Sequence, residues 1–135
     1  MSGWDAYITS LTGGSNAIRR AAIVGLNDGS VWARTDGENA FRATEAELKK
    51  FVGFFRDETS MKAVPASGAD LENVHYIVPR TEESLMFGKK DKSGFFAAKT
   101  KTAVLIAVYE GENMVASDVR SAIEKLADYM QSLNY

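Results

Sequence analysis

Cysteine is absent from this 135-residue sequence, and proline and histidine are scarce, with two residues and one residue respectively. Without cysteine, disulfide bonds, thiol catalysis and cysteine-based zinc sites are excluded. The single histidine, His75, cannot form a metal centre by itself, so we predict neither a metal nor a cofactor. The scarcity of proline leaves no evident linker, and the length suits one domain spanning residues 1–135.

Long apolar runs and a strong net charge are also missing. No segment approaches the roughly 20 apolar residues that a membrane-spanning helix needs, and residues 1–5 lack the basic and then apolar character of a signal peptide. We therefore expect a cytoplasmic protein that does not span a membrane. The formal net charge of −2 gives no overall field to attract nucleic acid, so no nucleic-acid partner is expected.

Motifs of the common catalytic sites are missing as well. The sequence contains no Gly-x-Gly-x-x-Gly stretch, no phosphate-binding loop ending in Gly-Lys-Ser/Thr and no Gly-x-Ser-x-Gly turn. The adjacent carboxylates at 57–58 and 82–83 fall in predicted loops, where nothing in the pattern indicates the burial that a general acid needs. We predict that the protein is not an enzyme.

Hydrophobic residues recur at helical spacing in three stretches. A short helix is predicted over Gly3–Leu11, and Thr44 with Glu47 forms a capping box that opens a second helix. The core stripe of the second helix is Leu48, Phe51, Val52 and Phe55. A third helix is predicted over Val115–Tyr135, with the stripe Val115, Val119, Ala122, Ile123, Leu126, Met130 and Leu133. Core packing alone accounts for these stripes.

Apolar runs bounded by turn residues predict strands elsewhere. Asn27-Asp28-Gly29 separates two apolar runs and predicts a hairpin. Residues 56–73, which include Pro65 and Gly68, are interpreted as a loop with at most a short strand or turn. Four later segments with short connections predict an antiparallel meander; they are Val74–Val78, Ser84–Phe87, Gly94–Ala98 and Ala103–Tyr109.

The last of these segments, Ala103–Tyr109, is apolar on both faces. A strand of this kind is expected at the centre of a sheet that helices cover on both sides. The fold class predicted is therefore α/β of the α+β type, with a central antiparallel sheet of about six or seven strands between helices.

Aromatic residues are in surplus near the two ends of the sequence: Trp4, Tyr7, Trp32, Tyr129 and Tyr135. If the first and last helices lie side by side, these rings converge. Flat rings with indole and phenol donors suit a polyproline II segment, whose carbonyl groups have no internal partner. The alternative is that Trp4 and Trp32 are half-buried packing residues.

Three stretches that carry these aromatic residues resemble the profilin family. They are Ser-Gly-Trp-Asp-Ala-Tyr at 2–7, Ala-Ile-Val-Gly at 22–25 followed by Asp-Gly-Ser-Val-Trp-Ala at 28–33, and Leu-Ala-Asp-Tyr-Met at 126–130 with Tyr135. The three stretches occur in the same order as in the family, they span the whole sequence, and the sequence has the size typical of the family. One departure is Thr9, where the family often has an acidic residue.

The resemblance implies a cytoskeletal regulator of actin polymerisation that binds monomeric actin, proline-rich proteins such as filament nucleators and, weakly, phosphoinositide headgroups. Matched by position, its proline-rich site comprises Trp4, Tyr7, Trp32, Tyr129, Met130 and Tyr135. Its actin site comprises His75, Val78, Arg80, Lys89, Lys90, Ala116, Ser117, Arg120 and Glu124. The phosphoinositide candidates are Arg80, Lys89, Lys90 and Lys92.

The resemblance also implies that the first and last helices share one face of the sheet and that the helix after Thr44 lies on the other. Gln131 and Ser132 are uncharged and occupy positions where some family members carry basic residues. The basic residues named above are therefore the better candidates for binding the lipid headgroup. The alternative function is a module of the same fold that binds proline-rich peptides or lipid surfaces without binding actin.

Overall fold

A computed structural model describes residues 4–13, 18–36, 40–79, 81–82, 84–110 and 116–135, with only the backbone described at 116–117. The helices in these ranges are α1 (Trp4–Gly13), α2 (Glu45–Arg56), α3 (Glu58–Ser67) and α4 (Ala116–Ser132). The strands are β1 (Ile18–Gly25), β2 (Val31–Arg34), β3 (Ala69–Leu71), β4 (Val74–Tyr76), β5 (Leu85–Lys90), β6 (Ser93–Lys99) and β7 (Ala103–Glu110).

The described strands form one antiparallel sheet and one separate hairpin. The sheet has five strands in the order β2-β1-β7-β6-β5, and β3 pairs with β4 in a hairpin. A bridge between Ile77 and Lys89 joins the end of this hairpin to the edge strand β5. The predicted antiparallel α+β fold is confirmed, although two of its seven described strands lie outside the central sheet.

Strand β7 is central, as its apolar sequence predicted. Alternate residues of the strand enter two different cores. Ala103, Leu105, Ala107 and Tyr109 face one core, whereas Val104, Ile106 and Val108 face the other. Because side chains alternate across a strand, a strand that is buried on both faces must be apolar at every position.

The helices are divided between the two faces. Helices α1 and α4 pack on one face through Ile8, Leu11, Val119, Ile123, Leu126 and Met130. Helices α2 and α3 cover the other face through Leu48, Phe51, Val52, Phe55, Met61 and Val64. The stripe predicted for α2 is buried, as are Val119, Ile123, Leu126 and Met130 of the α4 stripe. Ala122 is partly buried, Leu133 follows the end of α4 and is exposed, and Val115 lies outside the described residues.

The start of α2 follows the predicted capping box. The backbone N–H of Glu47 donates to Thr44 Oγ1 at 3.1 Å, and the backbone N–H of Thr44 donates to Glu47 Oε1 at 2.9 Å. Two donors that lack a partner inside the helix are thereby satisfied.

The interpretation of residues 56–73 as a loop is wrong. Helix α3 begins directly after α2, because Asp57 ends the first helix and accepts a hydrogen bond from Thr59 N at 3.1 Å as the cap of the second. Pro65 lies inside α3 and cannot donate to the carbonyl group of Met61. Thr81 Oγ1 donates to that carbonyl at 3.3 Å instead, which satisfies the acceptor that proline leaves free.

Candidate binding sites

Five aromatic rings from four parts of the chain form one continuous cluster, which we call the aromatic trough: Trp4, Tyr7, Trp32, Tyr129 and Tyr135. The Trp4 ring is at its centre, with ring centroids 5.3 Å from Tyr7, 5.0 Å from Trp32 and 4.7 Å from Tyr135. Tyr129 extends the cluster through Tyr7, at 5.9 Å. These distances are typical of favourable aromatic pairs.

The trough follows from the antiparallel packing of α1 and α4 on one face of the sheet. Trp4 and Tyr7 lie one helical turn apart on α1 and therefore project to the same side. On the facing side, Tyr129 of α4 meets Tyr7, and Tyr135, just beyond the end of α4, meets Trp4, so the rings of the two chain ends meet in opposite chain order.

A β-bulge brings Trp32 into the trough. Ile23 pairs with Ala33 and Val24 pairs with Val31, so Trp32 is an extra residue between two successive pairs. Strict alternation would place Trp32 and Ala33 on opposite faces of the sheet. The bulge instead lets both residues pack against the core beneath α1 and α4, as bulges near binding sites commonly do.

Tyr135 is placed by a turn that ends α4. The backbone N–H of Tyr135 donates to the carbonyl of Met130 at 2.9 Å, and the N–H of Asn134 donates to that of Gln131 at 3.0 Å. Asn134 has φ of 72°, so the three features together form a Schellman motif. The main-chain oxygen of Tyr135 then accepts from Thr102 N at 2.8 Å and from Thr102 Oγ1 at 3.1 Å.

Most polar groups of the trough remain available. Among the residues that the structure describes, the hydroxyls of Tyr7, Tyr129 and Tyr135 and the indole N–H of Trp32 have no hydrogen-bond partner. The side chains of Tyr129 and Tyr135 are 53% and 40% exposed. Donors with no partner beside apolar ring faces are the groups that a carbonyl-rich ligand needs.

Met130, which the resemblance assigned to the proline-rich site, is fully buried beneath the trough. Its side chain belongs to the core shared by α1 and α4. Met130 therefore supports the rings from below, and its exposed neighbour Tyr129 provides the surface.

The residues assigned to the actin site fall into two groups, the first at the outer edge of β5. Ile77 and Lys89 exchange backbone hydrogen bonds of 3.0 Å and 2.8 Å at this edge. Lys90 is exposed beside them, and His75 Nδ1 lies 2.7 Å from Asp70 Oδ1 across the β3–β4 hairpin. His75 is therefore at the surface but already has a carboxylate partner.

Val78 does not lie on this surface. Its side chain is 1% exposed, whereas the adjacent Ile77 is 68% exposed. Ile77 and Val78 are both apolar and adjacent in the sequence, which does not indicate which of them is buried. In the structure Val78 belongs to the core beneath α2 and α3. Ile77 is a candidate contact residue that the sequence reasoning missed; alternation from the buried Tyr76 is the signal that could have found it.

The second group lies at the start of α4. Arg120 donates to Glu82 Oε1 at 2.8 Å and to Glu124 Oε1 at 2.9 Å. These hydrogen bonds raise the pKa of the Arg120 guanidinium above its usual value. Arg80 lies outside the described residues, as do the side chains of Ala116 and Ser117, so their positions in the assigned sites stay predictions.

The remaining phosphoinositide candidates are exposed; Lys89 and Lys90 end strand β5, and Lys92 lies in the turn between β5 and β6. Within the described ranges, no cluster of histidine and acidic residues is placed to hold a metal ion. In the same ranges, no helix combines the length and apolar character needed to cross a membrane.

A family model described as Profilin matches residues 2–135. The chain belongs to the profilin family. This profilin is 60% identical to Profilin-1 of Caenorhabditis elegans over 135 residues, which is 100% of both chains. Membership of this family of actin-binding proteins confirms the prediction that the protein is not an enzyme.

Solved profilins share the fold described above. Profilin IB of Acanthamoeba castellanii superimposes with a TM-score of 0.83 at 33% identity, covering 98% of this chain and 100% of that chain. Mouse profilin IIa, solved in complex with a double repeat from the FH1 domain of mDia1, has a TM-score of 0.75 at 20% identity over 99% and 100% of the two chains. At that lower identity the likeness shows the fold alone.

Proposed function

We propose that this profilin binds an actin monomer and a proline-rich segment on two separate surfaces and thereby controls actin polymerisation. Its membership of the profilin family supports both kinds of binding. The observation that carries the assignment of residues is the convergence of five rings into the aromatic trough.

The trough has the chemistry that a proline-rich ligand requires. A polyproline II helix repeats every three residues and has no internal hydrogen bonds, so its carbonyl groups need external donors. The trough offers ring faces for the pyrrolidine rings, together with the three tyrosine hydroxyls and the Trp32 indole N–H for the carbonyls. Binding costs little conformational entropy, because both the ligand and the buried bases of the rings are already ordered.

The proposed actin surface combines Ile77, His75, Lys89 and Lys90 at the β5 edge with Arg120 and Glu124 on α4. Ile77 supplies an exposed aliphatic side chain on a hydrogen-bonded backbone, which suits the centre of an interface. The charged residues surround it, and each contributes little unless a partner excludes water from it.

The β5-edge group of the proposed actin surface lies far from the aromatic trough, whereas Glu124 on α4 is about 7.5 Å along the helix from Tyr129. Lys90 and Ser93 close the β5–β6 turn at one end of β6, whereas the turn that holds Tyr135 follows the other end. Strand β6 has seven residues. At about 3.3 Å per residue, this strand separates the two turns by roughly 20 Å.

Two binding measurements test the proposal. Titration with decaproline should change the intrinsic fluorescence of Trp4 and Trp32, and Trp4→Ala should abolish the binding. Immobilised profilin should retain actin monomers, and Trp4→Ala should retain them equally well. If the wild-type protein binds decaproline but retains no actin, the alternative function is supported instead, a module that binds proline-rich peptides and has no actin surface.

Phosphoinositide binding is a second proposed function. It is supported by the exposure of three lysines, Lys89 and Lys90 at the end of β5 and Lys92 in the turn that follows. With a net charge of −2, the protein as a whole gives this binding no assistance. Vesicles containing phosphatidylinositol bisphosphate should bind weakly and release the protein as salt is raised, and a triple Lys→Gln variant should not bind them.

A further inference from the structure

The β3–β4 hairpin carries part of the proposed actin surface but lies outside the five-stranded sheet. His75 is on β4, and Ile77 follows this strand directly. The backbone of Ile77 is joined to that of Lys89 on β5 by two hydrogen bonds. The hairpin also packs on the core beneath α2 and α3 through three buried side chains, Ala69, Leu71 and Tyr76. Because apolar contacts are not directional, the orientation of the hairpin on this core depends on its polar contacts.

Three polar contacts hold the turn of the hairpin, and we call them the turn clamp. Glu72 Oε1 accepts a hydrogen bond from Arg20 Nε at 2.8 Å, and Glu72 Oε2 accepts one from the backbone N–H of Arg42 at 2.9 Å. The backbone N–H of Asn73 donates to Glu47 Oε2 at 2.8 Å. The clamp therefore connects the turn to β1, to the segment before α2 and to the first turn of α2.

Glu72 is an unusual residue for its position in the turn. Glu72 and Asn73 are the two residues between β3 and β4, and both have positive φ, 55° and 61°. Glycine and asparagine are favoured in such turns, whereas most other residues are strained there. The side chain of Glu72 is nevertheless only 9% exposed, and both of its carboxylate oxygens accept hydrogen bonds. A strained residue whose largely buried carboxylate joins separate elements indicates that this side chain holds the turn in place.

We propose that Glu72 is a positioning residue for actin binding, which holds the turn of the hairpin and thereby fixes His75 and Ile77 at the edge of the sheet. The inference rests on the proposed actin surface, and it adds a residue that acts on that surface through the hairpin. Arg20, the partner of Glu72, lies on β1, which β7 and β6 separate from β5. At about 4.8 Å between neighbouring strands, β1 is roughly 14 Å from the β5 edge. A substitution of Arg20 therefore releases the hairpin without removing a residue of the actin surface.

Two variants release the turn clamp from opposite sides. Glu72→Gly removes the carboxylate, and glycine adopts positive φ without strain, so the turn itself is kept. Arg20→Gln removes the ion pair from β1 and leaves the hairpin sequence unchanged. The matched control is Arg56→Gln, because Arg56 also joins two elements, donating from α2 to the carbonyl groups of Leu26 and Asn27, but is not part of the clamp.

Amide hydrogen exchange shows whether the clamp holds the hairpin, and this measurement needs no actin. In both clamp variants the amides of residues 69–77 should exchange about tenfold faster than in the wild type, as expected when a hydrogen bond to a charged group is lost. Exchange in the central strand β7 should not change. In Arg56→Gln the amides of residues 69–77 should exchange as in the wild type.

Actin affinity shows whether the position of the hairpin matters for binding. The Kd for actin monomers should rise about three- to tenfold in Glu72→Gly and in Arg20→Gln, because the binding-competent position of the hairpin is then only partly populated. The double variant should bind actin as Glu72→Gly does, since both substitutions remove the same contact. Arg56→Gln should keep the wild-type Kd. Cooperative thermal unfolding above the assay temperature should show that each variant is folded during the binding measurement.

The outcomes separate this inference from the function on which it rests. Wild-type actin affinity in either clamp variant overturns the inference, whether or not the hairpin amides exchange faster, and leaves the proposed actin surface intact. Unchanged exchange at residues 69–77 in both variants also overturns it, because the hairpin is then held without the clamp. Failure of the wild-type protein itself to retain actin removes the proposed actin surface, and the inference with it.

Discussion

Tyr129 provides a direct test of the trough, because it is a ring on the surface that contributes little to folding. Its side chain is 53% exposed and contacts one other ring, Tyr7, at 5.9 Å. An aromatic pair is worth about 0.5 to 1.5 kcal/mol, and alanine is favourable in a helix. Replacing Tyr129 with alanine should therefore lower the free energy of unfolding by about 1 kcal/mol or less.

The effect on binding should be larger. An aromatic residue that a ligand covers closely can contribute about 2 kcal/mol to binding, which corresponds to a roughly 30-fold increase in Kd for a proline-rich peptide when the ring is removed. Tyr129→Phe retains the ring and removes only the hydroxyl, which has no partner among the described residues. Loss of one hydrogen bond of about 1 kcal/mol should weaken binding roughly fivefold.

Fluorescence titration with decaproline measures both effects, and thermal unfolding measures the stability of each variant. Leu133→Ala is the control, because Leu133 is an exposed apolar residue just after the end of the same helix and outside the ring cluster. Its affinity should equal that of the wild type. If Tyr129→Ala also binds decaproline within twofold of the wild type, the trough is not the binding surface.

Substitutions at four further positions address other parts of the structure. Thr102→Val removes the hydroxyl that donates to the main-chain oxygen of Tyr135. The affinity for decaproline, measured by calorimetry, should fall about two- to fivefold, and Thr102→Ser should restore it. Ile77→Ser should weaken actin binding in a pull-down and leave the melting temperature unchanged, because Ile77 is exposed. Val78→Ala, in the core, should lower the free energy of unfolding in denaturant by roughly 2 kcal/mol. Arg120→Gln should cost less than about 1 kcal/mol of stability, because its ion pairs are partly exposed, and it should reduce actin affinity without changing decaproline binding.

The sequence was sufficient to identify two of the helices in detail. The stripe of α2 and its capping box at Thr44 and Glu47 both appear in the structure. The stripe of α4 also packs as predicted from Val119 to Met130. These features could be predicted because helix periodicity and capping act between residues three or four positions apart.

Helix α3 and the β3–β4 hairpin could not be predicted in the same way. Pro65 and Gly68 are common signals of a loop, yet Pro65 lies inside α3 because Thr81, distant in sequence, bonds to the carbonyl group that proline leaves free. The hairpin turn uses Glu72 and Asn73 at φ of 55° and 61°. Glu72 is held there by Arg20, whose Nε lies 2.8 Å from Glu72 Oε1.

The sequence by itself determined which residues could form the trough and that the central strand must be buried on both sides, because composition and alternation are local properties. Only the tertiary structure decided that the rings meet. The bulge that turns Trp32 towards Trp4 depends on the pairing of β2 with β1, and the position of Tyr135 depends on Thr102. The inward orientation of Val78 likewise depends on the elements that pack against it. Pairing and packing join residues far apart in the chain, and no short stretch of sequence specifies them.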